Sequence, residues 1–360
     1  MFVYLHVGHR KKSASLGNNM TPCWKDLLTQ YSLSDSRLPL LLLFILLASL
    51  QGTITAQPSG SMEQAGKKIP VILDTDIGDD IDDTWALGLL LRSPELDLRL
   101  VTTDYLNTEY RARIVARLLE VAGRTDVPIG IGIKTGDAEG PQAPWIKDFD
   151  WSKYKGKVIK DGVQALIDTI MHSTQRVTII SIGPPPNLKA ALDREPGIAQ
   201  RASFVGMFGC VRRGYDGKTK PEPEWNVKCD VGASRRVLSA PWDITITPLD
   251  TCGLVRLEGK RYAAVRESKD PLIRAVIENY RIWCGKNPER ADSASSTLFD
   301  TVAVYLAISR ELLVMEELGI RVTDDGMTVA DPGAKKMNCA LDWKSLQAFE
   351  DFLTKRLSGK

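Results

Sequence analysis

Ile69-Pro70-Val71-Ile72-Leu73 runs without a break into Asp74-Thr75-Asp76-Ile77-Gly78-Asp79-Asp80-Ile81-Asp82-Asp83, and then into Thr84-Trp85-Ala86-Leu87-Gly88-Leu89-Leu90-Leu91. The first five residues read as a strand buried on both faces, because they are apolar throughout rather than alternating. The last eight carry the 3.6-residue period of a helix. Between them stand six carboxylates in ten residues. Like charges so close together cannot all stay ionised without a counter-ion. A helix N-terminus contributes only about 0.3–1 kcal/mol per charge, so a hard divalent cation is expected, and all-oxygen donors select Ca²⁺ or Mg²⁺ over zinc. The spacing is not that of an EF-hand: Asp74 and Asp76 fit its first and third positions, but the glycine falls one place early and the twelfth position is Trp85.

Further along, short apolar runs recur at Leu98–Thr102, Val127–Ile131, Val177–Ile182, Ala202–Phe208 and Asp243–Pro248. Helical segments lie between most of them, including Glu109–Val121, which Gly123 ends. Strand and helix in alternation specify an α/β fold: an open, mainly parallel Rossmann-like sheet with helices on both faces, forming one domain over residues 67–360. Ligands of such sheets bind beyond the carboxyl ends of the strands, so chemistry is sought there.

The composition fits this reading. The chain has 360 residues, 43% hydrophobic and 26% charged, with a formal charge of +2, which leaves no basic field for a nucleic-acid partner. Three histidines, His6, His9 and His172, exclude a His-rich zinc site. His172 ends a helix that precedes a strand and is assigned a structural role on the far side of the sheet. Five cysteines follow the leader at wide spacing with no CxxC pair, and read as buried thiols.

Residues 1–60 are set aside as a leader. Leu40–Leu50 is eleven residues without a charge, preceded by Arg37. A membrane-spanning helix needs about 20 residues, so this run has the length of a signal-peptide core and predicts export, periplasmic or secreted. A retained membrane anchor is the alternative, and Met20 is an alternative start.

The motifs resemble those of the inosine/uridine-preferring nucleoside hydrolases. Their opening strand followed by DTDPGxDDAxAL is similar to Asp74-Thr75-Asp76-Ile77-Gly78 followed by Asp82-Asp83-Thr84-Trp85-Ala86-Leu87. The likeness continues in Val101-Thr102-Thr103 with Asn107, in Val127-Pro128-Ile129, in Val177–Asn187 with Gly183-Pro184, in Glu224-Trp225-Asn226-Val227, and in Phe299-Asp300-Thr301-Val302-Ala303. The resemblance implies Ca²⁺-dependent hydrolysis of the N-glycosidic bond of a ribonucleoside, a salvage-type reaction, in a chain that assembles as a homo-oligomer. It implies a cation on Asp76, Asp83, Asp300 and the main-chain carbonyl of Ile182, with Asp76 also taking the proton of the attacking water. It assigns Asp82, Asn107, Glu224 and Asn226 to the substrate side. Plain structural readings stand beside these: Asp300 as a helix cap, Asn107 as a turn or cap, Glu224 and Asn226 as a surface turn.

Three departures from the family pattern are visible. The aspartate motif is two residues longer, so the paired aspartates are placed at Asp82-Asp83, with Asp79-Asp80 as the alternative register. Phe299 stands where many members carry a histidine that protonates the departing base; Trp85, Trp145, Tyr215 and Trp225 are the aromatic candidates to assist by stacking. Lys218 occupies the position of a family asparagine. Two other functions compete: a haloacid-dehalogenase-like Mg²⁺ phosphatase using Asp74 as nucleophile, and a non-catalytic metal- or sugar-binding member.

Overall fold

The computed structural model describes residues 67–359. The leader, its apolar run and the alternative start lie outside the described residues, and no described helix is long and apolar enough to cross a membrane.

Ten strands form one sheet: β1 (Ile69–Thr75), β2 (Leu96–Thr103), β3 (Ile129–Ile131), β4 (Val158–Ile159), β5 (Val177–Ser181), β6 (Ala202–Met207), β7 (Asp243–Thr247), β8 (Leu313–Val322), β9 (Thr328–Ala330) and β10 (Lys336–Trp343). Their spatial order is β4-β3-β2-β1-β5-β6-β7-β10-β8-β9. All pairings from β4 across to β10 are parallel; β8 and β9 add an antiparallel margin. The expected α/β architecture is therefore present, and the margin extends it.

Strand β1 shows why the sheet is covered on both faces. Val71 and Leu73 enter one apolar layer, whereas Ile72 enters the other. The first layer also takes Leu87 from the helix Asp82–Leu91 and Ile114 from the helix Thr108–Val121. The second takes Leu166 from Gly162–Met171 and Leu188 from Pro186–Arg194. Burial on two faces selects the β-branched, uniformly apolar strands seen in the sequence.

The chain adds β2, β3 and β4 on one side of β1 and then returns to place β5 on the other. That reversal opens a crevice at the carboxyl ends of β1 and β5, where a doubly wound sheet binds its ligand. His172 caps the end of Gly162–Met171, exposed, at the opposite edge. All five described cysteines are unpaired; four are buried and Cys229 is half-buried.

Candidate active site

A cleft of about 520 Å³ occupies the crevice, and much of its wall is delivered by strand ends and the segments after them. Strand β1 delivers Asp76, and the loop and helix after it deliver Asp79, Asp80, Asp82 and Asp83. Ile182 follows β5, Met207 ends β6, and the segment after β6 supplies Tyr215, Glu224, Trp225 and Asn226. Pro141, Trp283, Phe299 and Asp300 close the remainder.

The floor is a knot of carboxylates. Oxygens of Asp82, Asp83 and Asp300 lie within 4.8 Å of one another, and all three residues are buried. Thr75 Oγ1 donates to Asp83 Oδ1 at 2.5 Å, and the Asp300 amide donates to Asp82 Oδ2 at 3.3 Å. Asp300 precedes the helix Thr301–Leu306, yet its side chain makes no capping bond; it turns to Asp82 and Asp83 instead. Asp76, only 6% exposed, lies outside the knot but lines the same cleft. Burial, with the neighbouring carboxylates, drives Asp82, Asp83 and Asp300 well above the usual carboxylate range and raises Asp76 to about 6. One cation opposes this: Arg111, 1% exposed, which lowers Asp76 and Asp83 while donating to the carbonyls of Ile77 and Tyr105.

So many buried carboxyls around one small volume, with Arg111 the one guanidinium among the described residues to balance them, fit a hard divalent cation. Asp82-Asp83 opens the helix and faces Asp300, whereas Asp79 is half-buried and Asp80 exposed. The knot contains Asp82 where the sequence reading had Asp76 as third carboxylate.

Opposite the floor, Glu224 and Asn226 are held firmly rather than lying in a surface turn. Glu224, 1% exposed, accepts the amides of Asn226, Val227 and Gly209 at 2.7, 3.2 and 3.0 Å, and burial raises it to about 7. Asn226 Nδ2 donates to the carbonyls of Ile182 and Met207 at 3.1 and 3.0 Å. The Ile182 carbonyl therefore keeps one lone pair for another partner, and Asn226 keeps its oxygen as an acceptor.

Some expected residues lie elsewhere. Asn107 caps the helix Thr108–Val121, accepting from the Tyr110 amide at 3.1 Å and donating to the Asp137 carbonyl, and it does not line the cleft. Trp85 is fully buried against Tyr262 and Tyr280, and Trp145 lies under Arg117. Tyr215 and Trp225 do line the cleft, with Tyr215 edge-on to Phe299 at 6.0 Å. Lys218 is exposed and pairs with Glu222.

The sequence reading missed three groups. Arg111 sits on the buried side of an amphipathic helix, and a cation at an apolar register position was the available signal. Trp283 lines the cleft and donates from Nε1 to the Asp79 carbonyl at 2.9 Å. Asp104 is fully buried with neither oxygen partnered, and burial raises it well above the usual range. It follows β2 in a turn where Tyr105 and Leu106 have φ of 56° and 50°, a strained backbone of the kind stored beside functional sites.

A doubly wound sheet whose crevice concentrates carboxylates fits an enzyme that works with a hard cation at the carboxyl ends of its strands. Residues 71–350 match the profile of the inosine-uridine preferring nucleoside hydrolases, and the chain belongs to that family. It is 26% identical to uridine nucleosidase 1 of Arabidopsis thaliana over 299 residues, 77% of this chain and 86% of that protein. It is 25% identical to the pyrimidine-specific ribonucleoside hydrolase RihA of Escherichia coli over 320 residues, 80% of this chain and 98% of that one. Among solved structures, a plant nucleoside hydrolase shares the fold at a TM-score of 0.71 and 22% identity, over 82% of this chain and all of the other. The protein is an N-glycosidase.

The phosphatase alternative falls with this match. Asp74, which it required as nucleophile, is fully buried, bonded to Thr102 and Asn187, and absent from the cleft wall.

Proposed function

We propose that the protein hydrolyses the N-glycosidic bond of a ribonucleoside with the help of Ca²⁺ held at the carboxylate knot. The observation carrying this reading is the convergence of Asp82, Asp83 and Asp300 within 4.8 Å at the carboxyl edge of the sheet, in a chain of this family. Asp83 and Asp300 are the protein's principal donors to the cation, Asp82 lies within reach, and the Ile182 carbonyl is the main-chain candidate. Such a cation supplies charge compensation for the knot and acidifies a water.

The remaining steps belong to the chain. Asp76 lines the cleft beside the knot and is the carboxylate that takes the proton as water attacks the anomeric carbon. The bond to the base breaks through an oxocarbenium-like transition state, with inversion because water attacks directly. The buried carboxylates stabilise the positive charge that develops on the sugar. Asn226 accepts from a sugar hydroxyl through the oxygen its own hydrogen bonds leave free. Glu224 binds the 5′ end, its carboxyl fixed by three amides.

The test is a panel of purine and pyrimidine nucleosides incubated with the full chain, with and without chelator, with free reducing sugar assayed. Release that stops on chelation and returns with Ca²⁺ is the expected result. Release that is indifferent to chelator removes the cation from the reaction, and no release from any nucleoside removes the substrate class.

A further inference from the structure

Most donors that line the cleft are already committed, and the inference drawn from the exception rests on the glycosidase reading above. The Asn226 Nδ2 protons go to the carbonyls of Ile182 and Met207, and the Trp283 indole N–H goes to the Asp79 carbonyl. Glu224 is a proton carrier on the same wall, raised by burial to about 7, but its carboxyl is turned to the amides of Gly209, Asn226 and Val227. The Trp225 indole N–H is unspent, on a ring that is 49% exposed, where water competes for any bond it makes. Tyr215 is different. It is half-buried, its Oη accepts the Trp225 amide at 2.9 Å, and its own proton reaches no acceptor among the described residues.

The local structure holds that hydroxyl in place. The Tyr215 amide donates to Glu222 Oε1 at 3.1 Å, and its carbonyl accepts the Lys218 amide at 3.2 Å. Asp216 and Gly217, with φ of 57° and 71°, close the turn behind it, a strained backbone for Asp216. The ring stands edge-on to Phe299 at 6.0 Å, and Phe299 directly precedes Asp300 of the knot. Phe299 has no donor of its own, so the phenol is the donor on this side of the cleft. A phenol oxygen that accepts an amide proton must point its own O–H elsewhere. Burial and Glu224 push the hydroxyl well up, so it stays a donor over the range in which the site works. In a β-nucleoside the base and the 5′ carbon leave the sugar on the same face. A group beside Glu224, which binds the 5′ end, therefore faces the base as well.

We propose that Tyr215 is a catalytic residue for departure of the base: its hydroxyl donates to the heteroatom on which negative charge gathers as the glycosidic bond breaks. Water oxygen bonds to the anomeric carbon, the carbon–nitrogen bond breaks, and its electron pair stays on the base, where the Tyr215 O–H holds the charge. The base takes a proton from solvent as it leaves, and the water proton passes through Asp76 to solvent, so none is gained or lost. One donor aimed at a developing anion is worth about 10²–10³-fold. Its loss tells on bases that leave poorly and not on groups that leave unaided.

The experiment uses Tyr215→Phe, which keeps the ring and its contact with Phe299 and removes one oxygen; the amide it abandons belongs to an exposed residue that water can serve. The full chain is supplied with Ca²⁺ and given nucleosides graded by the acidity of the free base, ending with p-nitrophenyl β-D-riboside, whose leaving group needs no help. In the variant, kcat for the nucleosides is expected to fall about 100-fold, with KM within about threefold of the parent. The nitrophenyl riboside is expected to lose less than about threefold, and the loss to grow as the base becomes a weaker acid. A purely structural role lowers every substrate alike. Equal losses across the series, or nucleoside rates as fast as the parent's, overturn the inference and leave the glycosidase reading standing. Glu224→Gln separates the two proton carriers: a loss confined to poor leaving groups there, and not in Tyr215→Phe, gives the role to Glu224 and also overturns it. If the parent chain releases sugar from no substrate in the series, the glycosidase reading fails and takes the inference with it.

Discussion

Asp79-Asp80 and Asp82-Asp83 are the same dipeptide three residues apart, and the fold gives them opposite situations. The second pair opens the helix Asp82–Leu91 and is buried against Asp300. The first sits before that helix, where Asp79 is half-buried and Asp80 exposed, its Oδ1 accepting from the Ile81 amide at 2.7 Å. Position relative to a strand end and a helix start, not residue type, decides whether a carboxylate becomes part of a floor or part of a rim. The floor is delivered by elements the whole sheet holds in place. The rim is delivered by a loop pinned at two carbonyls, Asp79 by Trp283 and Asp80 by Gln142.

The strongest way to break this contrast is to neutralise one floor carboxylate. Asp83→Asn is expected to lower kcat/KM by about 10³-fold and Ca²⁺ affinity by about 100-fold, whereas Asp79→Asn/Asp80→Asn shifts Ca²⁺ affinity by less than about threefold; calorimetry on both variants decides it. Equal losses would erase the distinction between floor and rim. Asp76→Asn sharpens it within the floor, lowering kcat by about 10²–10⁴-fold with a smaller change in KM, as steady-state kinetics would show.

The floor should also announce itself in the pH dependence of the cation-free protein. Asp76 and Glu224 are raised by burial from 3.8 and 4.5 to about 6 and about 7. Between the ordinary and the raised values the folded chain binds more protons than the unfolded one, so stability falls as pH rises. The cation-free melting temperature is therefore expected to drop from about pH 4 to about pH 7, and Ca²⁺ to restore it at the upper end. A flat profile in a thermal scan would mean the floor carboxyls are not destabilising when charged. The smallest effect belongs to Asn107→Ala, expected to cost about 1 kcal/mol as a lost helix cap, with less than tenfold change in activity.

Much of this was legible in the sequence, for a physical reason. Strands β1, β2, β3, β5, β6 and β7 lie inside the sheet and are mostly buried, so apolar and β-branched residues dominate them and short runs stand out in the sequence. Strand β4 spans two residues, too short for any pattern. Strands β8 and β9 were missed because they form the antiparallel margin: β8 mixes Met315-Glu316-Glu317-Leu318 and only three of its ten residues are buried. At the site, groups following strand ends could be read by order alone. Trp283 could not, because nothing local links it to Asp79, 204 residues away. For Asn107 the sequence left a cap and a ligand-binding role side by side, because the two look alike in a motif, and the structure shows the cap.

The Asn226 amide bridges the carbonyls of Ile182 and Met207, and that bridge makes it a built-in reporter. A cation drawing on the Ile182 oxygen would withdraw electron density from one of the two acceptors, and the side-chain NH₂ of Asn226 would register it as a resolved shift in a ¹⁵N-correlated spectrum. Occupancy of the floor could then be followed through a single side chain, with no substrate present and no turnover needed.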